Sequence, residues 1–144
     1  MRYITDYCSL NQKLIRKTYP LPRIGETMHQ LEVLQYAKAL DLNMGYYTII
    51  ISPNIQDMTT IVTEFGTFRY NRLPMGMCAS VDIFQVKVDE LSGGIEGVKT
   101  YIDDILILIY CCFRNHIENL RMIFVRLRAA FLKFNSPKCS FWLK

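Results

Sequence analysis

Midway along the chain the run "TYIDDILILIY", Thr100 to Tyr110, sets two adjacent aspartates, Asp103 and Asp104, between apolar segments that read as buried strands. An unpaired buried carboxylate costs more than a small domain retains as net stability. The pair is therefore either an exposed hairpin turn or a place where something positive is expected to arrive. In both cases Val98 to Ile102 and Ile105 to Tyr110 should be strands about a tight turn.

The rest of the composition allows such strands a core. The chain has 144 residues and is 51% hydrophobic, which fits one folded domain and argues against disorder. A net charge of +4, with a pI near 8.8, is compatible with a polyanionic partner without demanding one. The five cysteines (Cys8, Cys78, Cys111, Cys112 and Cys139) include no C-x-x-C pair. They fit neither a disulfide framework nor a zinc site, so a reducing, cytoplasmic compartment is expected. "MRYITDYCSL" lacks the apolar core of a signal peptide. The longest apolar run, Ile105 to Phe113, is nine residues; a membrane-spanning helix needs about twenty. That run is a core strand, and no membrane association is expected.

Along the chain, "MRYITDYCSLN" reads as a strand into a turn, and Pro20 and Pro22 fix an extended segment. "GETMHQLEVLQYAKAL" places Met28, Leu31, Leu34 and Ala37 on one helix face. "ALDLNMGYYTIIISP" predicts a short strand, a turn at Asn43–Gly45 and a strand from Tyr47 to Ile51. "TTIVTEFGTFRYNRLP" predicts a hairpin turning at Glu64–Gly66. A helix capped by Ser80, with Asp82 in its first turn, runs to the "SGG" stop at Ser92–Gly94. A longer helix capped by Asn115 carries Ile117, Leu120, Ile123, Phe124, Leu127 and Phe131. A last strand pair turns at Asn135–Pro137. The fold class is α+β, helices against an antiparallel sheet with hairpin excursions. His29 and His116 have no carboxylate or cysteine at ligand spacing and read as surface or helix-packing residues.

A third carboxylate shares this setting, because Asp41 ends the apolar strand "ALDL". If the strands are neighbours, Asp41, Asp103 and Asp104 meet at one sheet edge and repel one another. Hard oxygen ligands suit Mg²⁺ or Mn²⁺, and two such ions about 4 Å apart form a phosphoryl-transfer clamp. Pattern alone favours an exposed Asp–Asp turn over a metal cluster.

The flanking residues add a resemblance. "YIDD" resembles the Y-x-D-D motif of reverse transcriptases, "DYCSLN" the D-[FY]-R-x-L-N segment of their fingers, and "YPLPRI" the segment that follows in gypsy-type long-terminal-repeat retrotransposons. "LDLNMGYY" resembles the motif of the first catalytic aspartate, "LPMGM" with "IFQ" the L-P-x-G…F-Q motif, and "LKFNSPKC" the closing motif with its lysine. Any one is weak; six in the family's order are strong.

The resemblance implies the palm and partial fingers of a right-hand RNA-directed DNA polymerase. Fingers would occupy about residues 1–18 and 47–73, palm 19–46 and 74–144, with thumb, connection and RNase H absent. It implies Mg²⁺, or Mn²⁺, held by Asp41 and Asp103, with Asp104 completing the cluster. Tyr46 would stand under the incoming sugar and Arg2 on the triphosphate; Met75 and Gly76 would line the nucleotide pocket. Lys138 would help protonate the leaving pyrophosphate, while Tyr101 and Gln85 would lie near primer or template and Phe84 in the core behind. Implied partners are an RNA or DNA template, a DNA or tRNA primer, dNTPs, and the thumb, RNase H and integrase of a polyprotein in a retroelement particle. Cys8, Val81 and Phe131 stand where the family usually has arginine, proline and glycine. Cys8, Phe131 and the truncation favour the alternative of an inactive remnant that at most binds nucleic acid.

Overall fold

The computed structural model describes residues 5–21, 36–109 and 113–143. Five antiparallel strands form one sheet: β1 (Tyr36–Asn43), β4 (Val98–Tyr101), β5 (Asp104–Ile109), β6 (Lys133–Phe134) and β7 (Ser140–Leu143). Their order is β4-β5-β1-β6, with β7 also pairing β1. β2 (Ile61–Thr63) and β3 (Gly66–Phe68) make a separate hairpin. Among the described residues, three α-helices precede β4: α1 (Cys8–Asn11), α2 (Pro53–Met58) and α3 (Ser80–Ser92). The long helix α4 (Phe113–Ala129) follows β5.

Strand periodicity sorts the sheet's two faces. Leu40 and Leu42 of β1, with Ile105 and Ile107 of β5, are buried against Phe84 and Val88 of α3 and Ile123 and Leu127 of α4. Each such side chain contributes about 1.5–3 kcal/mol when fully buried. Asp41 and Asp104 alternate with these residues and are register partners, so they share the opposite face of the sheet. His116 of α4 is buried, as a helix-packing residue should be, and burial with the nearby Lys38 charge pushes its imidazole pKa down.

Several elements depart from the sequence expectations. Cys8–Asn11 is a helical turn, not a strand's end, because the Asp6 carboxylate accepts the Cys8 N–H at 2.8 Å and bends the chain. Tyr36 to Leu40, expected as the end of a helix, belong to β1; the rest of that expected helix, 25–35, lies outside the described residues. The predicted strand from Tyr47 is a 3₁₀ turn, Gly45–Thr48, and an isolated bridge from Ile50 to Arg72. Pro53 starts α2 as its first residue rather than ending a strand. Ser80 does not cap α3: its hydroxyl donates to the Pro74 carbonyl at 2.7 Å. Asn115 lies inside α4, and Phe131 beyond its end. β6 and β7 pair with β1, not with each other.

Candidate active site

The carboxylates stand where β1 and the β4–β5 hairpin meet. Tyr101 pairs with Asp104, leaving Ile102 and Asp103 as a two-residue turn, and the Asp103 carbonyl accepts the Leu42 N–H at 2.7 Å. The turn is thereby fixed to β1, and all three aspartates come to one end of the sheet. The Asp41 carbonyl accepts the Asn135 N–H at 2.8 Å, which anchors the 3₁₀ turn Ser136–Lys138 at the same corner. Burial, and then the Asp41 charge, hold the Asp104 carboxyl above the usual carboxylate range, while the Lys138 ammonium works against them.

A donor set of carboxylate oxygens suits a hard divalent cation, and the register partners Asp41 and Asp104 bring two of them side by side at the sheet's end. In this sense the residues fit such an ion. Among the described residues, no three His, Cys, Asp or Glu side chains stand close enough to hold one as a single group. Asp41 and Asp104 form the electrostatic pair, and the Asp103 charge acts instead on Tyr46.

Tyr46 is buried and stacks on Phe84, ring centroids 4.5 Å apart at 27°. Burial and the Asp103 charge push its phenol up to about 12. Gly45 makes the stack possible, since a Cβ there would fall 2.3 Å from the Phe84 Cζ. Phe84 is thus the core residue expected.

Gly76 is exposed with φ +100, a conformation that favours glycine. Asn11 clips its loop: the side-chain amide donates to the Gly76 carbonyl at 2.9 Å, and Oδ1 accepts the Cys78 N–H at 2.8 Å. Met75 packs on the core's edge. Tyr101 is partly exposed and is the register partner of Asp104. Gln85, expected at primer or template, is fully buried beneath the hairpin. Arg2 lies outside the described residues.

Two features escaped the sequence reading. Asp82 is buried and accepts Arg16 Nε at 2.6 Å, Arg16 Nη2 at 3.1 Å and the Tyr19 N–H at 3.1 Å. The Arg16 guanidinium holds its carboxyl below the usual range. Asp89 accepts hydrogen bonds from Gln85 at 2.9 Å and from the Thr100 hydroxyl. The i, i+4 spacing of Gln85 and Asp89 was the available signal.

The family profile described as "Reverse transcriptase (RNA-dependent DNA polymerase)" matches residues 1–144. The chain is 35% identical over 144 residues to the retrovirus-related Pol polyprotein of transposon 412 of Drosophila melanogaster, covering 99% of this chain and 12% of that protein. To the corresponding polyprotein of transposon gypsy from the same fly it is 30% identical over 108 residues, covering 74% of this chain and 10% of the relative. It therefore spans about a tenth of the polyproteins it matches. A foamy viral protease–reverse transcriptase solved in complex with double-stranded DNA superposes with a TM-score of 0.84 at 23% identity, over 99% of this chain and 25% of the other. That likeness bears out the α+β architecture with an antiparallel sheet backed by helices. No helix of the described residues is long and apolar enough to cross a membrane.

Proposed function

Because the chain belongs to the reverse transcriptase family, we propose that it is the palm and part of the fingers of a retrotransposon RNA-directed DNA polymerase. The reaction is transfer of a deoxynucleotide from a dNTP to a primer 3′-hydroxyl, directed by an RNA or DNA template. Residues 1–18 and 47–73 would be fingers, and 19–46 and 74–144 palm. The observation that carries the reading is the Asp41–Asp104 register pair at the end of the sheet, with Asp103 in the adjoining turn.

Asp41, Asp103 and Asp104 would hold Mg²⁺ or Mn²⁺, which when bound activates the attacking hydroxyl and steadies the leaving phosphate. Lys138, whose charge already reaches Asp104, would place a proton near the departing pyrophosphate. Tyr46, held by Phe84, presents a fixed edge where a ribose 2′-hydroxyl would be excluded. Gly76, with no side chain, allows backbone to approach a nucleotide, beside Met75. Arg2 would bind the triphosphate, and Tyr101 would lie near the primer end. The remaining polyprotein domains would supply the thumb's grip on duplex phosphates.

The test is primer extension by the complete polyprotein on a primed RNA template. Incorporation of the template-complementary dNTP only when Mg²⁺ or Mn²⁺ is present supports the reading. A folded protein that incorporates nothing would establish the alternative, an inactive remnant.

A further inference from the structure

The turn that carries the carboxylates is strained. Ile102 has φ 54, and a β-branched residue in the left-handed region is a real outlier. Such conformations cost about 1–3 kcal/mol and persist only where the surroundings over-determine them. Asp103 is tied on one side by the Leu42 N–H. The opposite side depends on a side chain from α3.

Gln85 has no exposed surface and spends its whole amide on this hairpin. Its Oε1 accepts the Ile102 N–H at 2.7 Å. Its Nε2 donates to the Thr100 hydroxyl at 3.1 Å, the Thr100 carbonyl at 3.3 Å and Asp89 Oδ1 at 2.9 Å. The partners fix the amide's orientation, because a flipped group would set NH₂ against the Ile102 N–H. Asp89 in turn accepts from the buried Thr100 hydroxyl. Asp89 also pushes the Tyr19 phenol pKa up, so its influence reaches the N-terminal segment.

We propose that Gln85, aligned by Asp89, is a positioning residue that holds the strained Ile102–Asp103 turn and so sets where Asp103 and Asp104 stand. Its catalytic consequence rests on the polymerase reading above; the clamp itself does not. A Gln85 that touched primer or template would need its amide free, and none of it is.

The experiment compares Gln85→Leu, Asp89→Ala and the exchanged pair Gln85→Glu/Asp89→Asn in the complete polyprotein, by amide hydrogen exchange and by single-nucleotide incorporation. Gln85→Leu should raise exchange over residues 100–104 about tenfold or more, with α4 and the β2–β3 hairpin moving less than about threefold. Asp89→Ala, on a half-exposed side chain, should keep the chain folded and loosen the same segment to a smaller degree. The exchanged pair keeps an acceptor for the Ile102 N–H but sets a carboxylate oxygen against the Thr100 carbonyl, so it should recover only part of the protection. Incorporation should lose kcat by about tenfold while the KM for dNTP stays within about twofold. Exchange that rises equally everywhere, or not at all over 100–104, overturns the proposal. A wild-type protein that incorporates nothing refutes the polymerase reading, while the exchange pattern still decides the clamp.

Discussion

The Leu132 N–H donates to the Leu127 carbonyl at 2.9 Å, closing the last turn of α4 around Phe131. With the Phe131 N–H on the Arg128 carbonyl at 3.1 Å, this is the Schellman arrangement, whose penultimate residue takes the left-handed conformation. Phe131 occupies that position at φ 56, where an L residue costs about 1–2 kcal/mol. It is 84% exposed, so its ring offsets little of the cost. Phe131→Gly should stabilise the protein by about 1 kcal/mol in denaturant titration, and Phe131→Ala, which keeps the Cβ, should not. Equal effects would refute the strain.

Gly45→Ala should do the reverse. Its Cβ would fall 2.3 Å from the Phe84 Cζ, deep in the core, where overpacking costs about 1–3 kcal/mol. The Tyr46–Phe84 stack would shift with it, so near-ultraviolet circular dichroism should change together with the melting temperature. A neutral substitution would show that the two rings yield freely.

Arg16→Ala strips the guanidinium from a buried carboxylate and should destabilise the protein at neutral pH. The folded-state pKa of Asp82 is lowered, so its contribution is present above the unfolded value of 3.8 and fades as pH falls through the folded value. The deficit of Arg16→Ala should therefore shrink below about pH 4. A deficit constant with pH would mean that Arg16 acts by packing alone.

Asp104 has the opposite sign. Its folded pKa is raised, so charging it costs stability as pH rises above the unfolded value. Without divalent ions, Asp104→Asn should melt higher than wild type at pH 7, and the gain should vanish below about pH 4. Added Mn²⁺ should raise the wild-type melting temperature and leave the variant nearly unmoved. If Mn²⁺ stabilises both equally, Asp104 is no part of the cation site.

What could be read in advance depended on range. The β4–β5 hairpin was legible because two acids interrupt a long apolar run, α3 because Asp82 marks its first turn and Ser92–Gly94 its end, and α4 because Ile123 and Leu127 recur at helical spacing. β1 was only half legible: Tyr36 to Ala39 continues a helix-like pattern, and the strand state comes from pairing with Leu106 to Ile109, far away in sequence. The attachment of β6 and β7 to β1 is likewise non-local. The positions of the three aspartates followed from motif order, whereas Gln85's burial could not. A glutamine's exposure depends on whether its amide finds partners, and here Thr100, Ile102 and Asp89 supply them.

The central claim is that these carboxylates serve nucleotide transfer, and one comparison tests it most directly. Template-directed dNTP incorporation by the complete polyprotein with Mg²⁺ or Mn²⁺ is measured beside its Asp103→Asn variant, which keeps the side chain's size and loses its charge. The account predicts incorporation by the wild type and a loss of at least about a thousandfold in the variant, consistent with removing several kcal/mol of transition-state charge stabilisation. Incorporation that survives Asp103→Asn undiminished would contradict it.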